Sequence, residues 1–171
     1  MLEERTGFKF GDEDITLLGK DVKVGDKALN FKAINDDKVF DFYKETDGKI
    51  KIISVVPSLD TSVCSIQTVK FNAEAEKFSN DIVIISVSDD LQFAQKRFKD
   101  VKKINNITFV SDHINMDFGE KYGVLIKELR LLNRSVFVID KDNYVRYVEY
   151  VKQNTELPNI KNAINEAVKL V

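Results

Sequence analysis

Four short runs of β-branched and other apolar residues constrain the fold of this chain more than any other feature. They are IKIISVV at 50–56, DIVIISVS at 81–88, ITFV at 107–110 and SVFVID at 135–140. Each run is apolar at nearly every position rather than at alternate positions, which is typical of a strand in a sheet covered on both faces. The chain is therefore expected to form a central sheet with helices packed on it.

Helical periodicity fills the stretches between and after these runs. The first helix, beyond Pro57, carries two apolar stripes, so we expect it to be buried on much of its circumference. The stripes are Ile66, Val69 and Ala73, and Phe71, Ala75 and Phe78. Further helices are predicted over about 91–101, around 116–122, and after Pro158, where apolar residues follow the pattern of an amphipathic carboxy-terminal helix.

Two hairpins complete the predicted order of elements. FKFGDEDITLLG at 8–19 has alternating apolar residues on either side of a GDED turn, and the segment 135–151 contains two strands joined by an Asp/Asn turn. The order indicates an α/β fold of the thioredoxin-like type, with a central mixed sheet flanked by helices. A chain of 171 residues fits a single domain, 1–171, in which 1–20 form an amino-terminal β-hairpin extension.

Composition excludes several classes of function. With 26 basic and 28 acidic residues the net charge is −2, which gives no reason to expect nucleic acid as a partner. The charged amino terminus and the lack of a long apolar run predict a protein with no secretory signal and no membrane span, located in the cytoplasm. One cysteine and one histidine, His113, cannot form a zinc site of the usual ligands, and no cofactor is expected.

Cys64, the only cysteine, allows two interpretations. It follows the first core strand at the start of a helix, and if Thr61 is the N-cap, the free amides of the first turn would stabilise a thiolate. The alternative is a buried cysteine that acts as a small apolar residue. CSIQ lacks the second cysteine of a dithiol motif, and CSIQTVK lacks the glycines and arginine of a cysteine phosphatase loop. A cysteine protease would need His113 as its base, without any flanking signature.

Four ordered segments resemble the bacterial thiol peroxidases, a branch of the peroxiredoxins. They are PSLDTSVCSIQTVKFN, SVSDDLQFAQKRF, FGEKYGV and ELRLLNRSVFVID, which together span nearly the whole chain. The resemblance implies a thioredoxin-like fold and usually a homodimer. It also implies an antioxidant enzyme that reduces hydrogen peroxide and organic hydroperoxides through a redox-active cysteine.

The resemblance also implies roles for four residues. Cys64 matches the peroxidatic nucleophile, Thr61 the residue that hydrogen-bonds thiolate and peroxide, Pro57 the residue that shields the site, and Arg134 the active-site arginine that favours the thiolate. Each has a simpler alternative. Thr61 fits a plain N-cap. Arg134 fits a solvated residue at the strand end, paired with a carboxylate such as Asp140 or Glu128.

The chain departs from the family at Lys99. Most thiol peroxidases have a resolving cysteine there, and an intrachain disulfide is impossible with one cysteine. We therefore predict a one-cysteine cycle, restored by thioredoxin or glutaredoxin, by a small thiol, or by Cys64 of another subunit. Lys99, Lys102 and Lys103 would offer a basic face to an acidic reductase, or simply a solvated helix face.

Two other interpretations remain open on sequence grounds. The first is a peroxide-sensing redox protein with little turnover, and the second is a structural module with a buried cysteine. The apolar stretch Leu125 to Leu132 is expected to line the substrate entrance, to form a dimer contact, or simply to pack in the core.

Overall fold

The computed structural model describes residues 1–171 and contains ten strands and five helices. The strands are β1 Glu4–Phe10, β2 Glu13–Leu18, β3 Lys32–Asn35, β4 Lys38–Asp41, β5 Ile50–Val55, β6 Ile82–Ser88, β7 Thr108–Ser111, β8 Leu125–Ile126, β9 Ser135–Ile139 and β10 Val145–Tyr150. The helices are α1 Phe42–Glu45, α2 Ser62–Ala75, α3 Gln92–Lys102, α4 Asp117–Lys121 and α5 Ile160–Val168.

Seven strands form the central sheet in the order β10-β9-β5-β6-β7-β3-β4. Strands β5, β6 and β7 are parallel to one another, and β9 pairs antiparallel with β5. Residues Ile50–Val55 of β5 are all buried, as expected for a strand with both faces covered. The four predicted core strands are therefore confirmed, and so is the mixed α/β sheet.

The amino-terminal hairpin is also confirmed. Strands β1 and β2 pair antiparallel around Gly11, whose φ of 66° glycine adopts more readily than most residues. Strand β2 pairs in turn with β8, so the hairpin belongs to a separate three-stranded sheet. Its buried residues Phe8, Ile15 and Leu17 pack with Ile126. The assignment of 1–20 as an extension of a single domain stays a prediction.

Four short elements, β3, β4, α1 and β8, were not predicted. Each has two to four residues, which is too short for a periodic pattern to show. Strands β3 and β4 pair with each other around Asp36, whose positive φ of 53° is tolerated by aspartate, and β3 also pairs with β7. Pairing with neighbouring strands therefore stabilises β3 and β4 despite their short length.

One of the two stripes predicted to be buried on α2 is exposed. Ile66 and Val69 are 46 % and 42 % exposed, and Ala73 is also exposed. The buried face contains Phe71 from the second stripe, together with Cys64 and the polar residues Gln67, Thr68 and Asn72. The prediction that this helix is buried on much of its circumference was therefore wrong. The polar residues of its inner face occupy core positions because they have hydrogen-bond partners in the interior.

Two separate apolar layers cover the two faces of the central sheet. One is rich in aromatic residues and includes Phe31, Phe42, Phe118, Tyr122 and Phe137. The other contains Cys64 and Phe71 of α2 and the buried alanines of α5. We call them the aromatic face and the site face. No helix is both long enough and apolar enough to cross a membrane.

Candidate active site

The loop 57–61 connects β5 to α2 at the carboxyl edge of the parallel strands, where α/β sheets place their ligands. Pro57 is buried and lies two residues after the end of the strand. Thr61 has extended dihedrals (φ −92°, ψ 148°), and its Oγ1 accepts a hydrogen bond from the Cys64 amide at 3.4 Å. Thr61 is therefore the N-cap and Cys64 the third helical residue, as the sequence predicted.

The Thr61 hydroxyl also has a second partner. It donates to the carbonyl oxygen of Ser58 at 3.1 Å, while it accepts from Cys64 N. A hydroxyl oxygen has two lone pairs, so one acceptor position is left over. Capping the helix and accepting a hydrogen bond from a ligand O–H are thus compatible. The hydrogen bond from Thr61 to the thiolate that the resemblance implied is not present, because the hydroxyl proton is donated to the Ser58 carbonyl oxygen.

The side chain of Cys64 is fully buried, at 0 % exposure, among apolar residues that include Val56, Leu59 and Phe71. The Nη2 of Arg134 lies 3.2 Å from its Sγ and donates a hydrogen bond to it. Cys64 and Arg134 are 70 positions apart in the chain. They meet because β9, which begins just after Arg134, pairs with β5, which ends before the Cys64 loop. The cysteine is thus buried, but a cation lies against its sulfur.

Arg134 is itself 1 % exposed and uses each of its three nitrogens. Besides the bond from Nη2 to sulfur, Nε donates to the Asn154 carbonyl oxygen at 2.9 Å, and Nη1 donates to Gln67 Oε1 at 2.9 Å. No carboxylate pairs with this guanidinium. The suggested pairing with Asp140 or Glu128 was wrong, because Asp140 pairs with Arg146 at 2.7 Å and Glu128 accepts from the Thr16 amide.

A buried cation without a carboxylate is costly unless another anion compensates it. All of the other contacts of the Arg134 guanidinium are neutral oxygens, so the Cys64 sulfur is the only partner that can carry a negative charge. Charge-assisted hydrogen bonds are about twice as strong as neutral ones. The geometry is therefore suited to holding Cys64 as a thiolate.

Two residues that support this arrangement were missed by the sequence reasoning. Gln67 lies three residues after Cys64 on the same helix face, and it connects Ser54 of β5 (2.8 Å) to Arg134. Its position on the face of α2 that carries Cys64 was a usable signal. Asn154 accepts from the Arg134 amide at 2.7 Å and donates to Asn133. It follows β10, and no local pattern indicates its role.

Lys99 and the two lysines near it are exposed at the end of α3. Lys99 lines a polar cleft of about 400 Å³ beside β7, together with Asn105 and Asn106. The apolar stretch Leu125 to Leu132 is core at its two ends, where Leu125, Ile126 and Leu132 are fully buried. Residues 127–130 between them are exposed, so packing explains the ends of this stretch but not its middle.

Comparisons with known proteins agree along nearly the whole chain. The family model described as Redoxin matches residues 23–164. A thiol peroxidase of Listeria innocua is 46 % identical over 164 residues, which cover 96 % of this chain and 99 % of the relative. A thiol peroxidase of Bacillus subtilis is 46 % identical over 157 residues, which cover 92 % of this chain and 93 % of the relative.

A solved structure gives the same result for the fold. The crystal structure of a peroxiredoxin-like protein from Aquifex aeolicus is 36 % identical in sequence, covers 99 % of both chains and superposes with a TM-score of 0.87. The likeness therefore extends to the loop that carries Cys64 and to the strand that follows Arg134.

Proposed function

The chain belongs to the redoxin family, and we propose that it is a one-cysteine thiol peroxidase that reduces hydrogen peroxide and organic hydroperoxides. The observation that carries the proposal is the contact of 3.2 Å between the buried Arg134 guanidinium and Cys64 Sγ, in the absence of any carboxylate. A structural module would have no need to bury a cation against its only thiol. The comparisons do not favour the alternative of a sensor with little turnover, since the relatives are named as peroxidases.

The first step oxidises Cys64. The thiolate attacks the terminal oxygen of the hydroperoxide, an S–O bond forms and the O–O bond breaks. With one proton taken up, the products are a Cys64 sulfenic acid and water or an alcohol. Arg134 stabilises the thiolate and the negative charge that develops on the leaving oxygen. Thr61 accepts a hydrogen bond from the hydroperoxide through its remaining lone pair, and Pro57 excludes water from the loop.

The second step restores the thiol. Because the chain has one cysteine, an external thiol attacks the sulfenic sulfur, which forms a mixed disulfide and releases water. A second thiol then breaks this disulfide, so that Cys64 leaves reduced and the two external sulfurs are joined. We propose thioredoxin as the reductant, since it supplies both thiols in one molecule.

We also propose that the protein is a homodimer located in the cytoplasm. Large apolar side chains are exposed near the carboxyl edge of the sheet, among them Phe93 at 73 %, Ile114 at 60 % and Leu91 at 50 %. A second copy of the chain would cover them. A free thiol is easiest to keep reduced in the cytoplasm, which supports that location. Sedimentation equilibrium tests the dimer.

The decisive experiment measures peroxide consumption at steady state with thioredoxin, its reductase and NADPH. We expect sustained turnover by the wild type and none by Cys64→Ser, which keeps the size of the side chain but lacks the nucleophile. Intact mass spectrometry after addition of peroxide should show one added oxygen on the wild type, and its loss when thioredoxin is added. A single stoichiometric burst without turnover would refute the enzyme and leave the sensor.

A further inference from the structure

The carboxylate of Asp90 binds the loop that carries the nucleophile, at two points. Its Oδ1 accepts from the Ser58 hydroxyl at 2.7 Å, and its Oδ2 accepts from the Leu59 amide at 2.8 Å. No other hydrogen bond and no ion pair reaches this carboxylate, so both of its hydrogen-bond partners lie in the loop 57–61.

Further hydrogen bonds within the loop connect Asp90 to Cys64. The Ser58 carbonyl oxygen accepts from the Thr61 amide at 3.2 Å and from the Thr61 hydroxyl at 3.1 Å, and that hydroxyl accepts from the Cys64 amide. Leu59, held through its amide, is 4 % exposed and belongs to the same apolar cluster as Cys64. The position of Asp90 therefore fixes the N-cap and the first turn of α2.

Asp90 is itself held in place by the sheet. It comes two residues after β6, which runs parallel to β5 with Val87 opposite Val55. The Asp90 carbonyl oxygen accepts from the Ser111 hydroxyl at the end of β7. The loop that follows β5 is thus hydrogen-bonded to a residue that the neighbouring strands hold in place.

We propose that Asp90 is a positioning residue that holds the Cys64 loop closed, and that it affects the two steps of the cycle in opposite directions. Cys64 is 0 % exposed, so any reactant reaches its sulfur only as the loop moves, and a thiol reductant, which is larger than hydrogen peroxide, needs a wider opening. A closed loop keeps Thr61 and the helix amides aligned for attack on the small peroxide. Asp90 thus speeds oxidation and slows reduction. This inference rests on the proposed function.

The test compares Asp90→Asn with the matched variant Asp112→Asn. An Asn side chain can accept from the Ser58 hydroxyl through its oxygen, but its NH₂ group cannot accept from the Leu59 amide. Asp112 lies at the end of the next strand and likewise accepts two amides, those of Phe118 and Gly119, at 2.9 and 2.7 Å. Its partners belong to α4 rather than to the Cys64 loop, so the same substitution there controls for general loss of stability.

Three measurements are made on each protein. Quenched-flow mass spectrometry follows the oxidation of Cys64 by hydrogen peroxide, and a second mass assay follows attack on the preformed sulfenic acid by 2-mercaptoethanol. In D90N we expect oxidation to slow about tenfold and thiol attack to speed up about threefold, while D112N stays within about twofold of the wild type in both. Hydrogen exchange of the amides in 58–64 should be faster in D90N and unchanged in D112N.

The outcomes separate the two proposals. If D90N matches the wild type, if both of its rates fall, or if D112N shows the same changes, the positioning role is wrong. If peroxide does not oxidise wild-type Cys64, the proposed function fails. The hydrogen exchange of 58–64 still tests in that case whether Asp90 holds the loop, because it requires no peroxide.

Discussion

The two faces of the central sheet are equally buried but are built from different side chains. On the aromatic face, Phe118 stacks on Tyr122 with ring centroids 4.5 Å apart and meets Phe31 at 4.8 Å. On the site face, serines replace apolar residues toward the carboxyl edge. Ser54 accepts from Gln67 of α2, and Ser88 accepts from Gln95 of α3.

The difference shows how one sheet separates stability from chemistry. Apolar rings on the aromatic face gain free energy from buried area and close packing. Buried polar groups on the site face contribute little net free energy, but each must be satisfied, and this fixes where the side chains point. The Ser54–Gln67 pair leads to Arg134, whereas Gln95 connects Ser88 to the Val110 carbonyl oxygen. The site face therefore has less apolar packing but a more defined side-chain geometry.

The largest expected effect is on the aromatic face. Phe118→Ala removes a fully buried ring, and we expect the free energy of unfolding in urea to fall by about 3–5 kcal/mol. The oxidation rate of Cys64 in the folded fraction should stay within about twofold of the wild type. Phe118→Leu, which keeps more of the volume, should cost less. A large loss of oxidation rate in either variant would contradict the separation of the two faces.

Arg134→Lys should have the opposite effect, with a large loss of oxidation rate and a smaller loss of stability. A lysine cannot make the three directed contacts of the guanidinium, so we expect the oxidation rate of Cys64 at neutral pH to fall about 100-fold. The loss of unfolding free energy should be smaller than for Phe118→Ala. Arg146→Lys, at an exposed pair with Asp140, is the control and should leave the rate unchanged. An unimpaired Arg134→Lys would contradict the role of the guanidinium.

The smallest expected effect is on stability and concerns Asp89. Unlike the serines and glutamines of the site face, Asp89 has no hydrogen-bond partner for either carboxylate oxygen. Burial, with further contributions from Asp112 and Asp90, raises its pKa from 3.8 to about 8. The folded state thus retains a proton that the unfolded chain loses as the pH rises above about 4. The free energy of unfolding therefore falls as the pH rises from about 4 to about 8. Above about pH 8 this group lowers it no further.

Asp89→Asn removes the ionisation but keeps the shape. We expect the variant to be more stable than the wild type by at least about 2 kcal/mol near pH 9 and equally stable near pH 4, measured by urea unfolding. Equal stability of the two proteins at both pH values would show that the Asp89 carboxylate has hydrogen-bond partners in solution. A stabilisation confined to low pH would contradict the direction of the pKa shift.

Strong local patterns predicted much of the fold. The four continuous apolar runs of β5, β6, β7 and β9 can each be recognised alone, and so can the periodic residues of the first hairpin and the last helix. The Aquifex structure confirms the thioredoxin-like fold of the peroxiredoxin type. The exposed stripe of Ile66 and Val69 was assigned to the wrong environment, because periodicity locates a helix but does not show which of its faces meets a neighbour.

The sequence by itself determined the residues with reactive chemistry. Cys64 is the only thiol, Thr61 stands at the N-cap spacing, and without a second cysteine the chain cannot form an internal disulfide. These facts depend on residue identity and local spacing, which no tertiary contact alters.

Only the tertiary structure decided what surrounds the thiol. Arg134 is 70 residues from Cys64, Asn154 is 20 residues beyond Arg134, and Asp90 is 31 residues from Leu59, so their contacts exist because β9 and β6 pair on either side of β5. Strand pairing brings distant segments to one edge of the sheet, and burial there leaves Arg134 without any carboxylate. Neither effect has a local signature, which is why the sequence identified the thiol and the fold arranged the groups around it.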